Sequence, residues 1–429
     1  MLSLTRAGCR CAVMLVASAS LQAKAIAAPI LPDSIPAISG ALTLERALAL
    51  TSRYALTLQA AGLRAQAARG RVADAGRRPN PTLNVTEENF GGQFGGSRRE
   101  ATIAISQVLE IGGDRSARAG TAEAESRLAS AEASTVEREG LALAADRFIA
   151  AWSLQTRLGR LQEGEALTAQ AIHAATERFQ AGASPRLEIL RAQSRATAQA
   201  VERQRAESEL TVARQELALS WGSVTATFDS LVAPDQVMPS DNAGSQPGLS
   251  EHPELTRASA AEALASARVQ AAAATRRPDV TVSGGVRHLE EVSGTGFLVG
   301  AEVPLPLWNR GNGGVTAAHR ELEAATAERR ATEQRLQVAF AAATERVTTA
   351  AALYDTLRLR VRPARAQIVD ELLRGYRTGR SNYVDLVAEQ SNLLETELAV
   401  IDAQADLLRA QLRLELLTGI GLLTPKGGR

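Results

Sequence analysis

The sequence predicts a mainly α-helical chain with a small β part, built as a duplicated unit of helix, strand pair, long helix, turn and helix. Three observations carry this. Most of the 429 residues fall in Ala-, Arg- and Glu-rich stretches nearly free of Gly and Pro, the composition of helix interiors. Two short islands break those stretches and alternate apolar with polar residues at period two. The first holds Leu83 and Val85, then Ile103 and Ile105; the second holds Val280 and Val282, then Phe297, Val299, Ala301, Val303, Leu305 and Leu307. Landmarks also recur. The prolines of Arg77-Arg78-Pro79 and Arg276-Arg277-Pro278 stand about 199 residues apart, and the glycines of Phe179-Gln180-Ala181-Gly182 and Tyr376-Arg377-Thr378-Gly379 about 197 apart, as duplication of half a chain requires.

Residues 1–28 read as a secretory signal: Arg6 and Arg10 lead, an apolar run follows from Ala12 to Ala19, and Ala25-Ile26-Ala27 or Ile26-Ala27-Ala28 offers a cleavage site. The run is too short to span a bilayer as a helix, which takes about 20 residues. Cys9 and Cys11 both fall in this segment, so the exported chain is expected to hold neither a disulfide nor a thiolate metal site. Net charge is +1 with both signs interspersed, which gives no footprint for nucleic acid. Aromatics make up 3% of the chain and Ala dominates its apolar residues, which favours thin, closely packed helices over a bulky core.

The elements follow in order. Residues 29–42 carry three prolines and read as extended. The first repeat is expected over 43–222. Thr43 caps a helix to about Gly76, strands occupy about 81–90 and 99–111, and a proline-free helix runs from near Asp114 to about Gln180, roughly 100 Å at 1.5 Å per residue. Gly182 supplies a left-handed C-cap, Ser184 an N-cap and Pro185 a first helical position for the helix that ends near Gly222. A linker at 223–251 leads to the second repeat, 252–420: a helix from about His252 to Thr275, strands at about 278–289 and 296–307, a long helix from about Gly314 to Arg377 kinked at Pro363, and a last helix to about Thr418. A tail, 421–429, closes the chain. The two shorter helices of each repeat together match the long one in length, and apolar positions such as Leu128, Ala131, Val136 and Leu141 suit side-by-side packing.

Four exported strands of about ten residues, alternating in polarity, have the length of outer-membrane strands, yet the smallest barrels use eight and lipid tolerates no open edge. The strands must be pooled between subunits, or else form a small soluble sheet capping a helical rod. The duplicated order, with Gln107-Val108-Leu109-Glu110-Ile111-Gly112-Gly113-Asp114-Arg115, Pro304-Leu305-Pro306-Leu307-Trp308-Asn309-Arg310-Gly311 and the turns after Arg178 and Tyr376, resembles the TolC-like outer-membrane factors over essentially the whole mature chain. The first two motifs most resemble the CzcC-like branch associated with heavy-metal efflux.

The resemblance implies a homotrimer in which twelve strands form one β-barrel in outer-membrane lipid and long helical hairpins form a periplasmic α-barrel. It implies docking, by the turn-bearing end, to a periplasmic adaptor (a membrane fusion protein) and an inner-membrane resistance-nodulation-division pump. It further implies a periplasmic gate at Asp385, with Glu188 its counterpart, and adaptor contacts at the tips: Gly182, Ala183, Ser184, Arg186, Gly379, Arg380, Ser381, Asn382 and Tyr383. Ala388 stands where some relatives carry a second acid, and both acids also suit a first helical turn on dipole grounds alone. His173, His252, His288 and His319 are isolated, so no metal site and no cofactor is expected, although His288 lies near Glu290 and Glu291. No nucleophile and base pair or phosphate loop stands out, so an enzyme is not expected. The function that follows is an exit duct for heavy-metal cations. The rivals are the same duct serving drug efflux or type I protein secretion, and an exported structural coiled coil.

Overall fold

Thr43 starts the first helix as its side chain predicts, accepting a bond from the Arg46 N–H at 3.3 Å, in a computed structural model that describes residues 38–89, 99–234 and 252–418. All of these belong to one compact unit, Ala37–Arg429. The signal segment, most of 29–42, the Gly-rich turn at 91–96, the linker from 235 and the tail 421–429 lie outside the described residues. Helix α1, Leu44–Tyr54, stops well short of Gly76, and α2, Leu56–Ala75, resumes after Ala55 turns extended at ψ 117°. Neither Gly nor Pro causes this break. Buried Thr51 bonds back to the Ala47 carbonyl at 2.9 Å, a contact that bends helices, and the Gln59 side chain takes over the freed Arg53 carbonyl at 3.2 Å.

Helix α3, Asp114–Gln180, runs its full 67 residues from Gly113, whose φ of 93° only glycine adopts freely. Two helices lie along it end to end. Helix α2 covers the first stretch, where Arg118 donates to the Ala75 carbonyl at 3.2 Å. Helix α4, Arg186–Leu219, covers the rest through Arg203 to Glu165 at 3.1 Å and Thr168 to Gln199 at 2.6 Å. Ser184 does not cap α4; its Oγ is buried without a partner, and Pro185 itself holds the cap position with an extended ψ of 151°, so the helix begins one residue later than expected, at Arg186.

The second repeat follows the same plan. Helix α5 is Pro253–Ala274, α6 Asn312–Thr356, α7 Arg362–Arg377 and α8 Tyr383–Thr418. Glu262 accepts from Thr326 and Arg329, tying α5 to the start of α6, and Arg365 to Glu389 ties α7 to α8. Pro363 sits in the first turn of α7, and the π-helical turn Leu357–Val361 precedes it. Proline has no N–H for the carbonyl four residues back, and the widened turn moves that carbonyl out of the ring's way without a sharp break.

Two strand pairings place the rest. Ala41–Leu42 (β1) pairs in parallel with Ser230–Leu231 (β4), a link between the extended segment and the linker that the sequence gives no signal for. Gln155 of α3 fixes it, accepting from the Leu231 N–H and donating to its carbonyl, both at 3.0 Å, beside the buried Trp221 and Phe228. Strands β2, Thr82–Glu88, β3, Glu100–Leu109, β5, Val280–Leu289, and β6, Gly294–Glu302, form one antiparallel sheet in the order β2-β3-β5-β6. The seam between repeats is thus β3 against β5, Leu109 opposite Val280. Strand β6 ends at Glu302, paired to Thr281, rather than at Leu307.

Candidate functional site

Two regions at opposite ends of the helices carry functional geometry. The first is the sheet. Its register aligns Leu83 with Ile105, Ile105 with Gly284 and Gly284 with Val299, so one face carries Leu83, Val85, Ile103, Ile105, Val286, Phe297 and Val299. These side chains are exposed, Phe297 at 94%. The opposite face is polar and internally bonded: Asn84 donates to Ser106 at 3.1 Å, and Arg287 to Thr102 at 3.1 Å and Glu100 at 3.4 Å. The polar members of the apolar face, Glu87, His288 and Thr295, stand together at the turn end of the strands, and the exposed apolar stretch between them and the helices is out of place in water and suited to lipid. Edge strands β2 and β6 have no partner on their outer sides among the described residues.

Below the sheet, Arg118 locks strand to helix. It donates to the Arg77 carbonyl at 3.0 Å and pairs with Glu110, and the hydrogen bond from Arg118 draws the Glu110 carboxyl below its ordinary range. Asp114 moves the other way, raised by burial and by the nearby Asp279.

The second region is the turn-bearing tip. Gly182 and Gly379 both adopt left-handed φ, 72° and 80°. Each closes its helix with a bond back around the turn, Ala183 N to Arg178 O at 2.8 Å and Arg380 N to Gly375 O at 2.7 Å. The repeats differ at these acceptors. A side chain on Gly375 would collide with the Ser381 hydroxyl, whereas Arg178 has a long side chain that crosses to the other hairpin.

That crossing starts a network. Arg178 donates to the Tyr376 carbonyl at 2.5 Å while its guanidinium lies 4.7 Å from the Tyr376 ring centre, and the Tyr376 hydroxyl donates to Glu188 at 2.9 Å. Farther along, Arg195 of α4 donates to the Val387 carbonyl of α8 at 2.6 Å. Tyr376, Tyr383, Leu386 and Ala192 form the apolar cluster between the hairpins, the two tyrosine rings 5.9 Å apart. Burial first, then the Glu188 carboxylate, raise the Tyr376 hydroxyl far above the usual tyrosine range; burial raises Tyr383 and lowers Arg195. The α3–α4 hairpin and the α7–α8 hairpin are therefore fastened by three polar ties around a dry centre.

The expected site residues distribute unevenly over this tip. Gly182, Ala183, Arg186, Gly379, Arg380 and Asn382 are exposed, and Ser184 and Ser381 half-buried. Tyr383 is 3% exposed and packs against Tyr376, so its place as an adaptor contact is corrected to one inside the hairpin junction. Asp385 is exposed at the start of α8 and completes a reciprocal cap: its N–H donates to Asn382 Oδ1 at 2.8 Å, and Asn382 Nδ2 donates to its carboxylate at 2.7 Å. Glu188 is half-buried and committed to Tyr376. Sequence reasoning missed Arg178, Tyr376 and Arg195 as functional. A signal existed for the tyrosines: two of the chain's 4 flank one glycine turn. Among the described residues no group of three or more His, Cys, Asp or Glu is placed to hold a metal, and His288 meets Thr295 at 3.2 Å.

The chain is similar to known proteins in sequence and in fold. The cobalt-zinc-cadmium resistance protein CzcC of Cupriavidus metallidurans is 27% identical over 384 residues, 89% of this chain and 91% of the relative. The nickel and cobalt resistance protein CnrC of the same organism is 29% identical over 72% of this chain and 73% of its own length. Among solved structures, the outer-membrane channel OprN superposes with a TM-score of 0.76 at 19% identity, covering 89% of this chain and 91% of that one. CusC does so at 0.75 and 17%, covering 88% and 92%. These structural likenesses establish the fold. With residues 49–223 and 245–420 both matching the outer membrane efflux protein family, one match to each repeat, the chain belongs to that family.

Proposed function

We propose that three copies of this chain form the exit duct of a tripartite efflux assembly, passing heavy-metal cations that a resistance-nodulation-division pump delivers through a periplasmic adaptor. Family membership puts the chain in the outer membrane, with its helices extending into the periplasm. The observation that carries the reading is the sheet: four strands, one face largely apolar and the other polar, with both edges unpaired among the described residues. Lipid forbids open edges, so copies must close the wall, and repeats 43–222 and 252–420 each supply one hairpin to it. The cargo is supported by the relatives, whose names record resistance to cobalt, zinc, cadmium and nickel.

At the tip, Gly182, Ala183, Ser184, Arg186, Gly379, Arg380, Ser381 and Asn382 offer the adaptor its surface. Three Asp385 carboxylates around the axis form the acidic ring that favours cations in a narrow aqueous neck. Glu188 acts through Tyr376 instead, as half of a latch that an opening motion has to break. The test is genetic: loss of the chain should lower tolerance to cobalt, zinc, cadmium or nickel, and a supplied copy should restore it. Unchanged metal tolerance with new sensitivity to dyes or antibiotics would overturn the cargo, and a mature protein soluble in the periplasm would overturn the duct.

A further inference from the structure

The two repeats differ in what covers their long helices at mid-length. Gly113 and Gly311, the left-handed starts of α3 and α6, stand about 198 residues apart, so Phe148 of α3 corresponds to Arg346 of α6 and Trp152 to Ala350. In the first repeat α1 packs on α3, which buries Phe148, Ile149 and Trp152. In the second repeat position 346 is an exposed arginine, and no counterpart of α1 precedes α5 among the described residues. A groove of about 920 Å³ is left between α3 and α6, where α5 begins and α8 ends.

The groove is apolar along its walls and cationic in excess. Val338, Ala339, Ala342 and Ala343 of α6 line it with Leu416 and Leu417 of α8. Arg138, Arg335, Arg346 and Arg413 line it too, against two carboxylates, Glu139 and Glu254. Arg335 already takes Glu254, and among the described residues no ion pair holds Arg346 or Arg413. Arginines on other helix faces do have such partners, Arg203 in Glu165 and Glu207, Arg329 in Glu262. Burial lowers the pKa of Arg138 and Glu415 offsets this only in part, as befits a cation short of negative charge.

We propose that this groove binds a drug-sized organic anion, an apolar body bearing a carboxylate, with Arg346 and Arg413 for the carboxylate and the alanine and leucine lining for the body. A concave, mainly apolar space with a few charged groups is the common form of a small-molecule site, and sites of roughly 300–1,000 Å³ take ligands of that size. The guanidinium fork matches a carboxylate and gives it two hydrogen bonds at once. Position fixes how the ligand arrives. Thr135, on the α3 wall, lies roughly 30 Å along that helix from its start at Asp114, away from the sheet and its lipid, so the ligand comes as single dissolved molecules from the periplasm. The same excess of positive charge disfavours a metal cation, which separates this groove from the route of the cargo.

The probe is 2-naphthoate, titrated by calorimetry into the full-length protein in nanodiscs of zwitterionic lipid, beside neutral 2-naphthylmethanol and inorganic phosphate. Naphthoate should bind saturably, the alcohol about tenfold more weakly for want of its charge-assisted bonds, and phosphate not at all. Arg346 and Arg413 are exposed, so substitutions there leave the core intact. Arg346→Lys should keep most of the affinity. Arg346→Phe, which restores the residue of the first repeat and fills the groove, should abolish it, and so should Arg346→Gln combined with Arg413→Gln. Arg205→Gln on α4 should bind as wild type does. Naphthoate binding unchanged in Arg346→Phe would put the ligand elsewhere and overturn the site, and phosphate bound as tightly as naphthoate would reduce it to a charged patch. Absence of saturable binding to the intact protein also overturns the proposal; binding that appears only once residues 419–429 are removed would assign the groove to the chain's own tail.

Discussion

Tyr376 touches the first hairpin in three ways at once: its carbonyl takes the Arg178 guanidinium, its ring lies against the same group, and its hydroxyl reaches Glu188. Tyr376→Phe keeps the ring and the carbonyl and removes the hydroxyl, leaving a half-buried Glu188 carboxylate without its donor. Losing such a bond costs roughly 1–3 kcal/mol. The expected result is a tip that opens more readily, read as raised resting conductance of the reconstituted protein in planar bilayers; conductance equal to wild type would remove Tyr376 from the latch. The hydroxyl's raised pKa adds a sign. The folded tip prefers the protonated form, so this contribution is whole below the ordinary tyrosine value of about 10 and declines as pH rises from there toward the folded value. Wild type should accordingly lose thermal stability above that pH more steeply than Tyr376→Phe. Asp385→Asn separates charge from structure at the other acid. The bond from its N–H to Asn382 uses the backbone and survives, so α8 should start as before while cation over anion selectivity falls. Selectivity unchanged in a helix that starts normally would assign Asp385 to capping alone. Residue types alone left Asp385 and Glu188 readable as plain first-turn acids, and only the resemblance gave them a gate role. Residue types concealed Arg178 and Arg195, two arginines among many whose roles depend on which hairpin they cross to.

Helices and strands were far more legible than their joints. Proline-free runs and glycine stops predicted α3 and both tip turns, since long-range packing has little leverage against such strong local signals. The break at Ala55 was invisible because no helix breaker marks it; at the break Thr51 bonds back one turn and Gln59, six residues on, takes the freed Arg53 carbonyl. The β1–β4 pair was invisible for a different reason, two residues being too few to show a period. His252 is a joint of this kind. It caps α5 by accepting the Glu254 N–H at 3.2 Å on Nδ1 and meets the Leu416 carbonyl at 3.1 Å through Nε2, so the cap requires the neutral ring. Burial lowers its pKa, opposed chiefly by Glu254 and helped by Arg138 and Arg335. The sign is that of a depressed group: its stabilising effect is present above the ordinary histidine value of about 6.5 and is lost as pH falls below it. His252→Asn keeps an acceptor for the cap without the titration. Melting temperatures of wild type and variant should diverge between pH 7 and about pH 5, wild type dropping further. Parallel curves would show that protonation is not felt at this joint.

At the scale of the molecule, the sheet and the tip make opposite demands on one chain. The tip junction buries tyrosines and leucine and leaves arginines at its margin, as a helical assembly in water does, while the sheet turns its large apolar residues outward and bonds its polar ones inward. An exported coiled-coil rod has no use for the second arrangement, since Phe297 and Val299 in water would favour aggregation at an open edge. A barrel wall needs it on every strand, and a charge scan of the two faces separates the cases. Val299→Arg places a cation on the apolar face, where lipid exacts about 2–4 kcal/mol near the midplane. Thr86→Arg places the same cation on the polar face, toward water in the lumen. Outer-membrane insertion, measured as the heat-modifiable oligomer in sarkosyl-insoluble membranes, should fall sharply for Val299→Arg and stay near wild type for Thr86→Arg. The reverse order would mean that the sheet is inside out, with its leucines and valines lining the pore. Equal tolerance of both would mean that neither face meets lipid, and the strands would then be a soluble cap on the helices.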